Sequence, residues 1–102
     1  MHNPKILIIG AGSRGSGYAT YFREVPNRGQ VVGVAEPRDA YRNKLVDAHS
    51  IPVENIFMDW RDAAKRSRFA DAVIIATQDR MHTEPAIAFA KLGYHVLLEK
   101  PM

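Results

Sequence analysis

The chain has 102 residues, 46% hydrophobic and 25% charged, the makeup of one ordinary globular domain. It holds no cysteine, which excludes disulfides, thiolate metal sites and a cysteine nucleophile, and its four histidines (His2, His49, His82 and His95) show no paired metal-ligand spacing. A net charge of +3 is too small to point to nucleic acid, and every apolar run is far shorter than the roughly 20 residues of a membrane helix. Met1-His2-Asn3-Pro4 leads straight into an apolar run, without the basic segment and cleavage site of a secretory signal. A cytoplasmic protein with neither nucleic-acid nor membrane partners is therefore expected. The densest basic stretch, Arg61 to Arg68, contains Asp62 and reads as a solvated helix face.

Lys5-Ile6-Leu7-Ile8-Ile9, between Pro4 and Gly10, predicts a strand buried on both faces. Tyr18, Tyr21, Phe22 and Val25 then recur at helical spacing and form one core stripe, which Pro26 to Gly29 ends. Val31 to Ala35 predicts a second strand. Pro37 suits a helix start, with Tyr41, Leu45 and Ala48 on one face. Ile56-Phe57 falls where a third strand belongs. Asp59 can cap a helix from Trp60 to about Arg66, which Trp60 would pack. Ala72 to Ala76 is a fourth strand, and Asp79 to Thr83 a loop with capping residues. Glu84 to Leu92 is a helix with Pro85 in its first turn and Gly93 as its stop. His95 to Leu98 is a fifth strand, in which His95 reads as structural. Unalternating strands separated by helices mean a parallel sheet, so the fold class is α/β. Right-handed crossovers give a three-layer Rossmann-type fold with strand order 3-2-1-4-5.

Gly10-Ala11-Gly12-Ser13-Arg14-Gly15 is a G-x-G-x-x-G motif that follows a predicted strand and opens a predicted helix. Gly10 permits a tight turn, Gly12 lets the backbone approach a pyrophosphate, and Gly15 lets the helix pack on the strand. The alternative is a glycine-rich turn with no ligand. Glu36 ends the second strand at the spacing, roughly 20 residues beyond the glycines, of an acid that binds the adenosine ribose. The alternative there is a plain surface acid. Arg38 is a helix-start residue in solvent, a plate for the adenine, or a partner for a 2′-phosphate, and so blurs the choice between NAD and NADP. Methyltransferases that bind S-adenosylmethionine share a glycine-rich first loop and an acid after the second strand. They have less need of a third glycine at the place of Gly15.

Three segments together resemble the N-terminal half of the Gfo/Idh/MocA oxidoreductases: Ile8 to Gly15, Val34-Ala35-Glu36-Pro37-Arg38, and the run from Ala76-Thr77 through His82 to Glu99-Lys100-Pro101. The Glu-Lys-Pro ending after Gly93 to Leu98 is the specific part. The resemblance implies an NAD(P)-dependent dehydrogenase that moves a hydride between the nicotinamide and a sugar- or polyol-like substrate, often as a homo-oligomer. It implies cofactor contacts at Gly10, Gly12, Ser13, Arg14, Gly15 and Glu36, and along Ala76, Thr77 and Gln78. His82 matches a loop histidine, though it can equally cap the following helix. Glu99 and Lys100 match the pair beside the nicotinamide, with Lys100 reaching the substrate and the Lys100–Pro101 bond cis. No metal is implied. Gln78-Asp79 departs from the Pro-Asn common in the family after the threonine. Residues 1–102 then correspond to an NAD(P)-binding domain whose C-terminal substrate and oligomerisation domain is absent. That predicts an inactive piece with an exposed, self-associating fifth strand. The alternatives are a nucleotide-binding sensor without redox chemistry and an S-adenosylmethionine-dependent methyltransferase domain.

Overall fold

In the computed structural model, which describes residues 4–10, 29–76 and 83–98, five strands form one parallel sheet. They are β1 (Lys5–Ile9), β2 (Gln30–Ala35), β3 (Ile56–Phe57), β4 (Ala72–Ile75) and β5 (His95–Leu98). Their order is β3-β2-β1-β4-β5, as expected. The described helices are α1 (Asp39–His49), α2 (Trp60–Ala64) and α3 (Thr83–Lys91), with a 3-10 turn at Val53–Asn55. The stripe of Tyr18, Tyr21, Phe22 and Val25 lies outside the described residues.

All of β1 beyond Lys5 is buried, because the two pleats of a central parallel strand each meet a layer. Ile6 and Ile8 join Val31, Val34, Leu45 and Ile74 in an aliphatic layer. Leu7 and Ile9 face a second layer built around Phe89 and Tyr94. Val31 and Val34 are three residues apart and would point to opposite faces in a regular strand. They share a layer because the pairing with β1 slips: Ile6 is opposite Val31 but Leu7 is opposite Gly33. Val32 is the extra residue of this bulge. Gly33 then lies under Phe69, where a Cβ would come within 2.9 Å of the ring.

Three expectations about helices need correction. α1 starts at Asp39, not Pro37, because the Glu36 carboxylate accepts the Arg38 N–H (2.8 Å) and holds Arg38 extended at φ −87°, ψ 117°. Its inward residue is Leu45, flanked by half-buried Arg42, Val46 and His49, while Tyr41 and Ala48 are exposed. α2 ends at Ala64, short of Arg66, whose guanidinium instead bonds the Glu54 carbonyl and Asn55 Oδ1. Asp59 does cap α2, accepting the Arg61 N–H at 2.8 Å. The Trp60 ring packs 6.3 Å from Phe89 and so joins α2 to α3. Gly93 turns the chain at φ 95° after α3, a conformation that suits glycine.

Candidate functional site

The ladder continues one residue past three strands at their carboxyl ends. Gly10 N–H donates to the Ala35 carbonyl (2.8 Å), Ala76 N–H to Ile9 (2.8 Å) and Glu36 N–H to Phe57 (3.0 Å). These bonds place Gly10, Glu36 and Ala76 along one edge of the sheet. The chain order reverses there, between β1 and β4. Ligands of open parallel sheets bind at that point, outside the carboxyl ends. Gly10 is buried with φ 88°, a left-handed conformation that a side chain would strain. That conformation at Gly10 is compatible with the tight turn the motif assigns to it, while the residues after Gly10 lie outside the described ones.

Glu36 is 2% exposed, and a buried carboxylate must be matched by donors. Arg38 supplies three of them. Its N–H (2.8 Å) and Nε (2.9 Å) donate to Oε2, and Nη2 donates to Oε1 at 3.1 Å. This bidentate fork is the strong geometry for an arginine–carboxylate pair. It holds the guanidinium pKa above its ordinary value. The guanidinium lies 4.1 Å from the centre of the Tyr41 ring, yet its side chain is 53% exposed. Arg42 Nη1 donates to the Glu36 carbonyl at 2.8 Å, and its Nη2 pairs with Asp39. The sequence reading missed Tyr41 and Arg42 here. Their spacing of three and four residues from Arg38 on a helix was the available signal.

Of the expected site residues, the structure brings Gly10, Glu36, Arg38 and Ala76 to one edge. Gly12, Ser13, Arg14, Gly15, Thr77, Gln78, His82, Glu99 and Lys100 lie outside the described residues. So does the Lys100–Pro101 bond. His95 is exposed on β5, and its main-chain N–H donates to the Asp71 carbonyl at 3.1 Å. Among the described residues, no group of three acidic or histidine side chains could hold a metal. No described helix is long and apolar enough to cross a membrane.

The arrangement is that of a dinucleotide-binding α/β domain. A family model described as an oxidoreductase family with an NAD-binding Rossmann fold matches residues 4–102, and the chain belongs to that family, Gfo/Idh/MocA, as its NAD-binding domain. It is 30% identical over 95 residues to 2,7-anhydro-N-acetylneuraminate hydratase of Escherichia coli K12, a match that covers 93% of this chain and 24% of that protein. Among solved structures it is similar to scyllo-inositol dehydrogenase of Lactobacillus casei with bound NAD(H) and scyllo-inositol (TM-score 0.85, 22% identity, 97% of this chain and 28% of the other). At that identity the likeness concerns the fold. It is also similar to biliverdin reductase of Synechocystis sp. PCC 6803 in complex with biliverdin and NADP+ (TM-score 0.78, 28% identity, 95% and 29%). The chain spans about a quarter of the length of these proteins. Family membership sets aside the methyltransferase alternative.

Proposed function

We propose that this chain is the cofactor half of an NAD(P)-dependent oxidoreductase that transfers a hydride to or from a sugar- or polyol-like substrate. The observation that carries the reading is the convergence of Gly10, Glu36 and Ala76 at the switch point of the sheet. The residues present fit a dinucleotide. Gly10 supplies the turn from which Gly12, Ser13, Arg14 and Gly15 would offer backbone donors to a pyrophosphate. The Glu36 carboxylate supplies acceptors for ribose hydroxyls. Ala76, Thr77 and Gln78 would lie along the bound cofactor, with His82 closing that loop. When bound, the nicotinamide supplies the hydride donor or acceptor.

Glu99 and Lys100 come next after β5 in the sequence, and on the resemblance we assign them to the same carboxyl edge. We assign Lys100 to the substrate. Its Nζ would hydrogen-bond the reacting hydroxyl and stabilise the oxygen as that proton leaves for a base outside this chain. Pro101 would bias the backbone of Lys100 away from helical dihedrals. The sugar-like class rests on the resemblance and on the substrates named for the hydratase and the inositol dehydrogenase. Residues 1–102 would form the cofactor domain, with substrate binding and homo-oligomerisation in a further domain of a cytoplasmic protein. The 102-residue piece by itself would not turn over substrate, because orientation of the substrate carbon supplies several kcal/mol of such a barrier.

The test is Lys100→Met in the full-length protein. NAD affinity stays within about twofold while kcat falls at least about a hundredfold, the scale of a positioned acid–base group. An unchanged kcat removes Lys100 from the chemistry. A wild-type protein that binds no nicotinamide dinucleotide overturns the whole reading.

A further inference from the structure

The carboxyl end of β2 depends on a register that is fixed in the middle of the strand. At the bulge, Val32 drops out of the pairing with β1, so every later residue of β2 stands one place earlier against β1 than a regular ladder would put it. If Val32 rejoined the ladder opposite Leu7, Gly33 would stand opposite Ile8 and Val34 opposite Ile9. Glu36 would then move out by one residue, roughly 3.3 Å, with its side chain turned to the other face of the sheet. β3 starts at Ile56, opposite Val34, so its main-chain ladder stops short of Val32. The Asn55 side chain carries the pairing back to the bulge: Nδ2 donates to the Val32 carbonyl at 2.8 Å. That bond keeps the carbonyl turned to β3 and away from β1. Arg66 fixes the other end of the amide, donating Nη1 to Oδ1 and to the Glu54 carbonyl, both at 2.6 Å. A guanidinium only donates and a carbonyl only accepts, so a side chain between them must accept at one end and donate at the other. Asn55 does both. The Arg66 guanidinium lies 4.3 Å over the Phe69 ring, and that ring lies against Gly33, the residue after the bulge. Two residues past Asn55, the Phe57 carbonyl accepts the Glu36 N–H at 3.0 Å. One short segment, Asn55 to Phe57, therefore grips β2 both at the bulge and at the acid.

We propose that Asn55, oriented by Arg66, is a positioning residue for the cofactor site: it locks the β2 register that presents Glu36 at the carboxyl edge. It acts through Glu36 and not on the cofactor. The inference rests on the proposed assignment of Glu36 to the ribose, so its test includes a readout that does not need that assignment.

The experiment uses the full-length protein as wild type, Asn55→Asp, Arg66→Met, Glu36→Gln and the double variant Asn55→Asp with Glu36→Gln. Asn55→Asp keeps the bond from Arg66 and sets an acceptor against the Val32 carbonyl, so the fold stands while the grip on the bulge is lost. Backbone hydrogen exchange should quicken at least about fivefold at Glu36, the factor carried by one hydrogen bond. It should stay unchanged at Ala76, whose N–H is bonded to Ile9 on the other side of β1. NAD, titrated calorimetrically, should bind at least about threefold more weakly, because only the native register is competent. Arg66→Met leaves the Asn55 amide able to turn over and should move both quantities the same way by a smaller factor. On the Glu36→Gln background, Asn55→Asp should cost no further affinity, as required of a residue that acts through Glu36. Four results overturn the inference alone while Glu36→Gln still weakens NAD: unchanged exchange at Glu36, exchange raised equally at Ala76, faster exchange with wild-type affinity, or a loss of affinity that adds in full to that of Glu36→Gln. If Glu36→Gln binds NAD as tightly as wild type, the ribose assignment fails, and this inference falls with it whatever the exchange rates.

Discussion

Two carboxylates close opposite edges of the same sheet and are held in different ways. Asp71, just before β4, accepts the Lys5 N–H at 2.8 Å, a main-chain donor 66 residues away. Its own N–H returns a 2.8 Å bond to the Lys5 carbonyl, and its carbonyl accepts from His95 N–H. Asp71 thus staples β1, β4 and β5 at their amino ends. Glu36 spends its backbone in the same manner, on Phe57 and Arg42, but its carboxylate is matched by Arg38, two residues along and half in solvent. A carboxylate bonded across the sheet cannot change partners unless a strand moves. One matched by a long neighbouring side chain can. The amino edge is built to hold, and the carboxyl edge to exchange.

The largest effect that can break this comparison is on binding. Glu36→Gln keeps the shape of the side chain and removes the charge that answers hydroxyl donors. NAD affinity should fall at least about tenfold, or ~1.4 kcal/mol, the scale of hydrogen bonds to a charged group. Unfolding free energy should change by less than about 1 kcal/mol, because the released guanidinium turns to water. Calorimetric titration beside chemical denaturation reads both quantities. A large loss of stability with little loss of affinity would make Glu36 a staple like Asp71.

Asp71→Ala is the reciprocal variant and has the next largest effect. It removes one charge-assisted bond to the Lys5 amide and the 3.8 Å pairing with Arg68. The site is partly exposed, so the cost should be about 1 kcal/mol of unfolding free energy. NAD affinity should stay within twofold. A fall in affinity comparable to that of Glu36→Gln would show the two edges to be coupled and the comparison false.

The sequence showed most of what makes the carboxyl edge and less of what tunes it. The sheet order was legible because Lys5–Ile9, Ala72–Ile75 and the other apolar runs do not alternate, and only a doubly covered parallel strand buries such a run on both faces. Gly10 and Glu36 were legible from local spacing. The bulge at Val32 was not, because it is defined by the partner strand: Val31 and Val34 share a layer only through the slip against β1. The shelf under Arg38 was hidden for a related reason. Tyr41 looks like a core residue by its spacing from Leu45. It stands instead in the exposed first turn of α1, which the Glu36–Arg38 turn starts at Asp39, and lies under the guanidinium. A polar side chain thus set a helix boundary that apolar periodicity did not contain.

The smallest effect sharpens the amino edge through its pH dependence. Tyr94 sits just ahead of β5, 5% exposed, its ring edge-on to Phe89 at 5.1 Å and to Phe69 at 6.4 Å. Its hydroxyl accepts the Phe69 N–H at 3.3 Å. Burial raises the phenol above its ordinary value near 10, against the opposing pull of that amide and of Arg66 and Arg68. In the unfolded chain the phenol ionises near pH 10, while in the folded chain it keeps its proton beyond that. The folded state then binds more protons, so stability falls as pH rises. The contribution is fully present below about pH 10 and is lost between there and the raised folded value. Tyr94→Phe keeps the ring contacts and removes the titration. At neutral pH it should cost about 0.5–1 kcal/mol for one long hydrogen bond, with NAD affinity unchanged. Above pH 10 the gap between wild type and variant should narrow, because only wild type pays to keep its phenol neutral. Denaturation curves at pH 7 and pH 10.5 measure that gap. A gap that stays constant would mean that Tyr94 titrates as freely folded as unfolded, and that burial at the amino edge does not hold its phenol neutral.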